Sequence, residues 1–161
     1  MADAAVVNAS PLIFLSKAGL IDLLRVVSPI VMVPEPVASE IGRRGPDDIT
    51  ARTLANTAWL ISVPVTNIPP LIQSWDLGAG ESAVLAHALA NPGMIAIIDD
   101  GTGRRCAEVL RVPLAGTLGL VLLSKQRGII PSARPVITTL KQHGMFLSES
   151  TIDRALALVG E

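Results

Sequence analysis

Two aspartates, Asp99 and Asp100, stand side by side directly after the apolar run Met94 to Ile98. Like charges a few ångströms apart raise each other's pKa unless a cation offsets them, so the pair implies a metal or a basic partner. Other polar groups stand at comparable places after apolar runs. Asn8 and Ser10 follow Ala4 to Val7, Glu35 and Glu40 follow Ile30 to Val33, and Glu81 follows Gly80. Oxygen ligands of this kind suit Mg²⁺ or Mn²⁺, which take one or two carboxylates together with waters and phosphate oxygens. Such an ion can activate water and stabilise the leaving oxygen of a phosphodiester.

Each residue also has a plainer reading. Glu81 in a first helical turn is favoured by the helix dipole alone. Glu40 could pair with Arg43 or Arg44 on a solvated helix face. One of Asp99 and Asp100 could cap the helix that follows, which needs only one acid. Asn8 could bond within its own turn and Ser10 could cap the next helix. Arg104 and Arg105 could reach the aspartates or a substrate phosphate, or serve only as surface charges. His87 and His143 lie at no metal-ligand spacing and read as structural.

The elements that would position these residues follow from the pattern of apolar runs. Ala4 to Val7, Ile30 to Val33, Trp59 to Val65, Met94 to Ile98 and Val112 to Ala115 read as strands. Helices are expected over Leu12 to Val27, from Pro36 through Ile41, over Ile49 to Thr57, Glu81 to Ala90, Arg104 to Leu110, Pro131 to His143 and after Ser148 to Val159. Gly101 to Gly103 read as a turn, and Pro64, Pro69 and Pro70 as an extended connection. Strands alternating with helices predict an α/β domain with a parallel sheet and ligands beyond the carboxyl ends of its strands. The acids lie at that end.

Composition agrees. Half of the 161 residues are apolar, with two Trp, two Phe and no Tyr, which suits helices packed on a buried parallel sheet within one domain spanning 1–161. The formal net charge of −1 supplies no global field for nucleic acid, so a basic footprint must be local, at Arg43 and Arg44 or at Arg104 and Arg105. Few aromatics argue against a base-stacking platform of the kind single-strand binders use, so recognition would run through phosphates or shape. A lone Cys106 cannot make an intrachain disulfide or a zinc cluster, and Lys17, Asp22 and Arg25 interrupt the first apolar region. A cytoplasmic protein with no membrane partner is expected. Gly101-Thr102-Gly103-Arg104-Arg105-Cys106 imitates a dinucleotide fingerprint but ends in Cys and comes late in the chain, and no phosphate-binding P-loop or serine-hydrolase elbow is present.

The ordered set Val6-Val7-Asn8-Ala9-Ser10-Pro11-Leu12-Ile13, Val33-Pro34-Glu35 through Glu40, Gly80-Glu81, Ile98-Asp99-Asp100 and Gly116-Thr117-Leu118-Gly119 resembles the PIN-domain superfamily. More narrowly it resembles the DUF3368 branch related to VapC toxins, over nearly the whole chain. The resemblance implies a PIN-like three-layer fold with a central parallel sheet of four to five strands flanked by helices. It further implies a Mg²⁺- or Mn²⁺-dependent endoribonuclease that cuts RNA phosphodiesters with a metal-activated water, as the toxin of a toxin–antitoxin pair. Matched by position, Asp100, Glu40 and Glu81 are the catalytic and metal-binding acids, with Asp99 beside them. Asn8 stands where PIN nucleases usually carry the first-strand acid, and it offers the metal or substrate a neutral carbonyl instead. Ser10 and Arg104 match substrate-binding positions. An antitoxin partner and a homodimer are expected. The Asn8 departure keeps open a second class of function, a catalytically weakened PIN-like module that binds RNA or protein.

Overall fold

The computed structural model describes residues 3–161. Each predicted strand forms, four of them shortened and the second shifted by one residue: β1 (Ala5–Val7), β2 (Val31–Pro34), β3 (Leu60–Val63), β4 (Ile95–Ile97) and β5 (Leu114–Ala115). They make one five-stranded sheet in the order β3-β2-β1-β4-β5, and every pairing is parallel. Central β1 is wholly apolar and fully buried, as a strand covered on both faces must be. Val6 stands opposite Met32 on one side and Ala96 on the other. The chain leaves β1 toward β2 and returns to its other side as β4. The residues that follow these three strands therefore emerge together at the carboxyl edge, where the strand order reverses.

Helices flank the sheet: α1 (Ala9–Lys17), α2 (Glu35–Gly42), α3 (Ile49–Asn56), α4 (Pro70–Gln73), α5 (Ala79–Ala90), α6 (Gly101–Val109), α7 (Thr117–Gln126), α8 (Ala133–Gln142) and α9 (Glu149–Leu158). Alanine-rich α5 packs on β1, β2 and β4 and against α2 and α6. Small side chains let it approach closely, and seven of its residues are buried. A 3₁₀ segment (Ile21–Val26), α8 and α9 gather around α7.

Four expectations about the elements need correction. The helix read over Leu12 to Val27 stops at Lys17. Gly19 takes φ +70°, its N–H donates to Ser16, and the Leu20 N–H donates to Leu15, a left-handed C-terminal cap that side chains with a Cβ resist. The Gly101 to Gly103 turn is instead the first turn of α6, because Asp100 caps it and supplies the missing nucleation. Pro70 opens the short helix α4 where an extended segment was expected; proline suits a first helical position, since its missing N–H is not needed there. α8 starts at Ala133, two residues after the expected Pro131, with Ser132 at its N-cap. Among the described residues, no helix is long and apolar enough to cross a membrane.

Candidate active site

Asn8 follows β1 and occupies the N-cap position of α1, yet its side chain makes no capping hydrogen bond. It is buried, and its backbone N–H donates to Ile97 of β4 at 3.0 Å, which fixes the residue between the two strand ends. Its Oδ1 is aimed across at α5, 3.2 Å from where a Cβ on Gly80 would lie. Glu40 Oε2, projecting from α2, comes within 3.4 Å of the same point. Gly80 thus lets a carbonyl oxygen and a carboxylate meet at the start of α5, and any larger residue would press on both. Ser10 is half-buried in the first turn of α1 and lines the cleft with Asn8, Glu40, Arg43 and Glu81; the cavity they enclose is about 260 Å³. Glu35, at the start of α2, is exposed and does not line it.

Glu81 is in the first turn of α5 and leans toward α6. Its Oε2 is 3.4 Å from the Cβ position of Gly103, and Asp100 Oδ2 is 3.8 Å from that position. Asp100 accepts from the Gly103 N–H at 2.9 Å, so the plainer capping reading of this residue holds, though the cap uses only one of its two oxygens. Burial pushes the Glu81 carboxyl above its usual pKa, and the nearby charges of Asp100 and Glu40 and a hydrogen bond with Asp100 push it the same way. Arg44, one of the two arginines that could have neutralised Glu40, is bound to Asp48 at 3.1 Å, whereas Arg43 lines the cleft beside it.

Asp99 faces elsewhere. Its two oxygens accept from the Thr117 N–H at 2.7 Å and the Thr117 hydroxyl at 2.6 Å, which ties β4 to the start of α7. Arg104 is on that side too. Its Nη1 donates to the Ile98 carbonyl at 2.9 Å and lies 2.7 Å from where a Cβ on Gly116 would be, so a side chain at that position would displace the guanidinium. Adjacent in sequence, the two aspartates are thus separated in space: Asp100 joins Glu81 and Glu40, whereas Asp99 joins Thr117 and Arg104. Residue types alone could not separate them, because the split depends on Thr117 arriving from β5. Of the remaining titratable candidates, Cys106 is fully buried in the core, with its thiol pKa raised by burial, and His87 is half-buried with its pKa lowered by burial.

The donors gathered at the cleft are all oxygens, from Glu40, Glu81, Asp100 and the Asn8 amide, which is the chemistry of a hard divalent cation. Glu81's raised pKa marks charge that such a cation would offset, so the residues fit one in kind. Among the described residues, no three acidic, His or Cys side chains converge on a single point.

A parallel α/β sheet with clustered acids at the carboxyl ends of its central strands defines the class of fold and site. The DUF3368 family model, a PIN domain, matches residues 4–161, and the chain belongs to that family. No curated protein matches it. PIN domains are generally nucleases and typically use divalent metals, so nucleic acid is the partner the family implies.

Proposed function

We propose that this protein is a Mg²⁺- or Mn²⁺-dependent endoribonuclease, with Asp100, Glu40 and Glu81 holding the ion and Asn8 lending a carbonyl oxygen. The observation that carries the reading is Glu81, half-buried and placed beside Asp100 and Glu40, with its proton affinity raised by burial and by those two acids. Structural acids are usually paired or solvated; acids in a cleft whose proton affinity is perturbed point to function. When bound, a divalent ion supplies an activated water and neutralises charge that develops on the phosphodiester. Asp100 presents its carboxylate from a fixed helix cap, Glu81 can hold or release a proton beside it, and Ser10 and Arg43 offer hydrogen bonds to a phosphate entering the cleft.

Titrating Mn²⁺ into the purified chain with a mixed structured and single-stranded RNA pool tests this, with Asp100→Asn prepared identically. Cleavage that needs both metal and Asp100 is the expected result. Cleavage surviving in Asp100→Asn would sink the assignment.

Asn8 favours one other reading. A neutral amide where an acid is usual removes one formal charge from the cluster, and a module that binds RNA or protein without cutting would then remain. Wild type that binds RNA, with a salt dependence reporting only a few phosphate contacts, yet neither binds Mn²⁺ nor cleaves would favour it. The role of toxin in a toxin–antitoxin pair, with a protein antitoxin as partner, is proposed from the family resemblance; growth arrest on expression, abolished by Asp100→Asn, is its test. A homodimer is proposed from the apolar composition and is tested by light scattering.

A further inference from the structure

A second and larger cavity, about 740 Å³, opens on the Asp99 side of the acid cluster. Its walls come from α1, β5, α7, α9 and the connection before α9, and they include Leu118, Leu158 and Phe146. Phe146 is 91 % exposed. An aromatic ring held almost wholly in water at the rim of an apolar groove is an unsatisfied contact surface.

Asp99, Arg104 and Arg154 are the charged residues of this groove among the described residues. Asp99 is spent on Thr117 through both oxygens, and among the described residues neither arginine makes an ion pair. The groove is therefore apolar with a net cationic character, although the whole chain carries −1. The Arg104 guanidinium is held at the groove by the Ile98 carbonyl and the bare Cα of Gly116. Arg104 lies one helical turn beyond Asp100, which caps α6, although among the described residues none lines both this groove and the cleft of Asn8, Glu40 and Glu81.

We propose that this groove is a subsite for an unpaired nucleotide of the RNA strand, with Phe146 stacking against its base and Arg104 and Arg154 meeting its phosphates. The inference rests on the nuclease reading for its substrate and adds that the strand is recognised single-stranded. An aromatic face beside guanidinium groups is the combination that binds single strands with little sequence preference. Charge complementarity to a polyanion favours this occupant over a second copy of a chain that itself carries little net charge.

The test uses the full chain carrying Asp100→Asn, to avoid cutting, and measures fluorescence anisotropy with a labelled single-stranded RNA, an abasic strand of equal length and a duplex. Phe146→Ala should weaken single-strand binding about tenfold and leave abasic binding unchanged. Arg154→Ala should weaken both strands and lower the slope of log affinity against log salt by about 0.7. Both side chains are exposed, so melting temperatures should match the parent. Equal single-strand affinity with and without Phe146 overturns the subsite, as does loss of self-association in Phe146→Ala at unchanged RNA affinity, which would assign the groove to a second copy. RNA that is cleaved with no sensitivity to Phe146 overturns the subsite alone. RNA that is neither bound nor cleaved by wild type with Mn²⁺ overturns the nuclease reading and the subsite together.

Discussion

Asp99 and Asp100 share a residue type and differ in what each touches, so their asparagine variants should fail differently. Asp100→Asn keeps the cap on Gly103, because an amide oxygen accepts as well as a carboxylate at that position. It should melt like wild type and lose cleavage. Asp99→Asn replaces one acceptor by an N–H₂ group facing Thr117, where both carboxylate oxygens now accept. It should lose about 1.5–3 kcal/mol of stability in denaturant unfolding, the worth of a hydrogen bond to a charged group. Equal melting curves for the two would show that the aspartates are not divided in this way. Gly103 makes the same point from the other side. A Cβ there would sit 3.1 Å from Ile98 Cγ2, a fully buried side chain that would have to give by a few tenths of an ångström, and 3.4 Å from Glu81 Oε2. Gly103→Ala should lower the melting temperature and cleavage together, whereas a loss of neither would mean that α6 shifts without strain.

At the scale of elements, helix ends decide where the chain turns. Gly19 ends α1 at φ +70°, a conformation that costs other residues roughly 1 kcal/mol, so Gly19→Ala should destabilise the protein by about that amount in urea titration. The start of α8 is secured from a distance: Glu161 accepts from the Ser132 hydroxyl and from the N–H groups of Ala133 and Arg134. The Ser132 hydrogen bond leads the effects that hold the Glu161 carboxyl down to about 2, with the Ala133 N–H next; burial opposes them, while the Arg134 N–H and Lys125 add to them. A depressed acid stabilises the fold above its unfolded pKa and loses that contribution as it is protonated. Wild type should therefore be more stable than Glu161→Gln above pH about 4.5, with the gap closing as pH falls toward about 2. A gap independent of pH in thermal melts would show that Glu161 acts by shape and not by charge.

For the whole molecule, ion binding should register as stability. Three elements that meet only in the native fold carry the proposed ligands, since Glu40 is on α2, Glu81 on α5 and Asp100 caps α6. Mn²⁺ at a hundred times its dissociation constant should add about 2.7 kcal/mol, reversed by chelator and reduced in Asp100→Asn. An unchanged melting temperature across that titration would leave the cleft without a cation. With a net charge of −1, the surface offers little long-range attraction for RNA. Its affinity should depend on salt only as steeply as a few local phosphate contacts require.

Much of this architecture was legible in the residues themselves. Short apolar runs broken by glycine, proline and polar turns predict parallel strands, because a strand buried on both faces cannot carry polar side chains, and acids after such runs mark the carboxyl edge. That pattern named Asn8, Ser10, Glu35, Glu40, Glu81, Asp99 and Asp100 alike, and it took the family resemblance to single out Glu40, Glu81 and Asp100. Their grouping, and the removal of Asp99 from it, came only from the fold. Thr117 and Asp99 are 18 residues apart and meet only because β5 pairs with β4, and Gly80 and Gly103 matter through the space that neighbouring elements leave beside them. The groove at Phe146 was hidden for the same reason: periodicity reports which residues are apolar, whereas exposure of a particular ring depends on which helices arrive beside it.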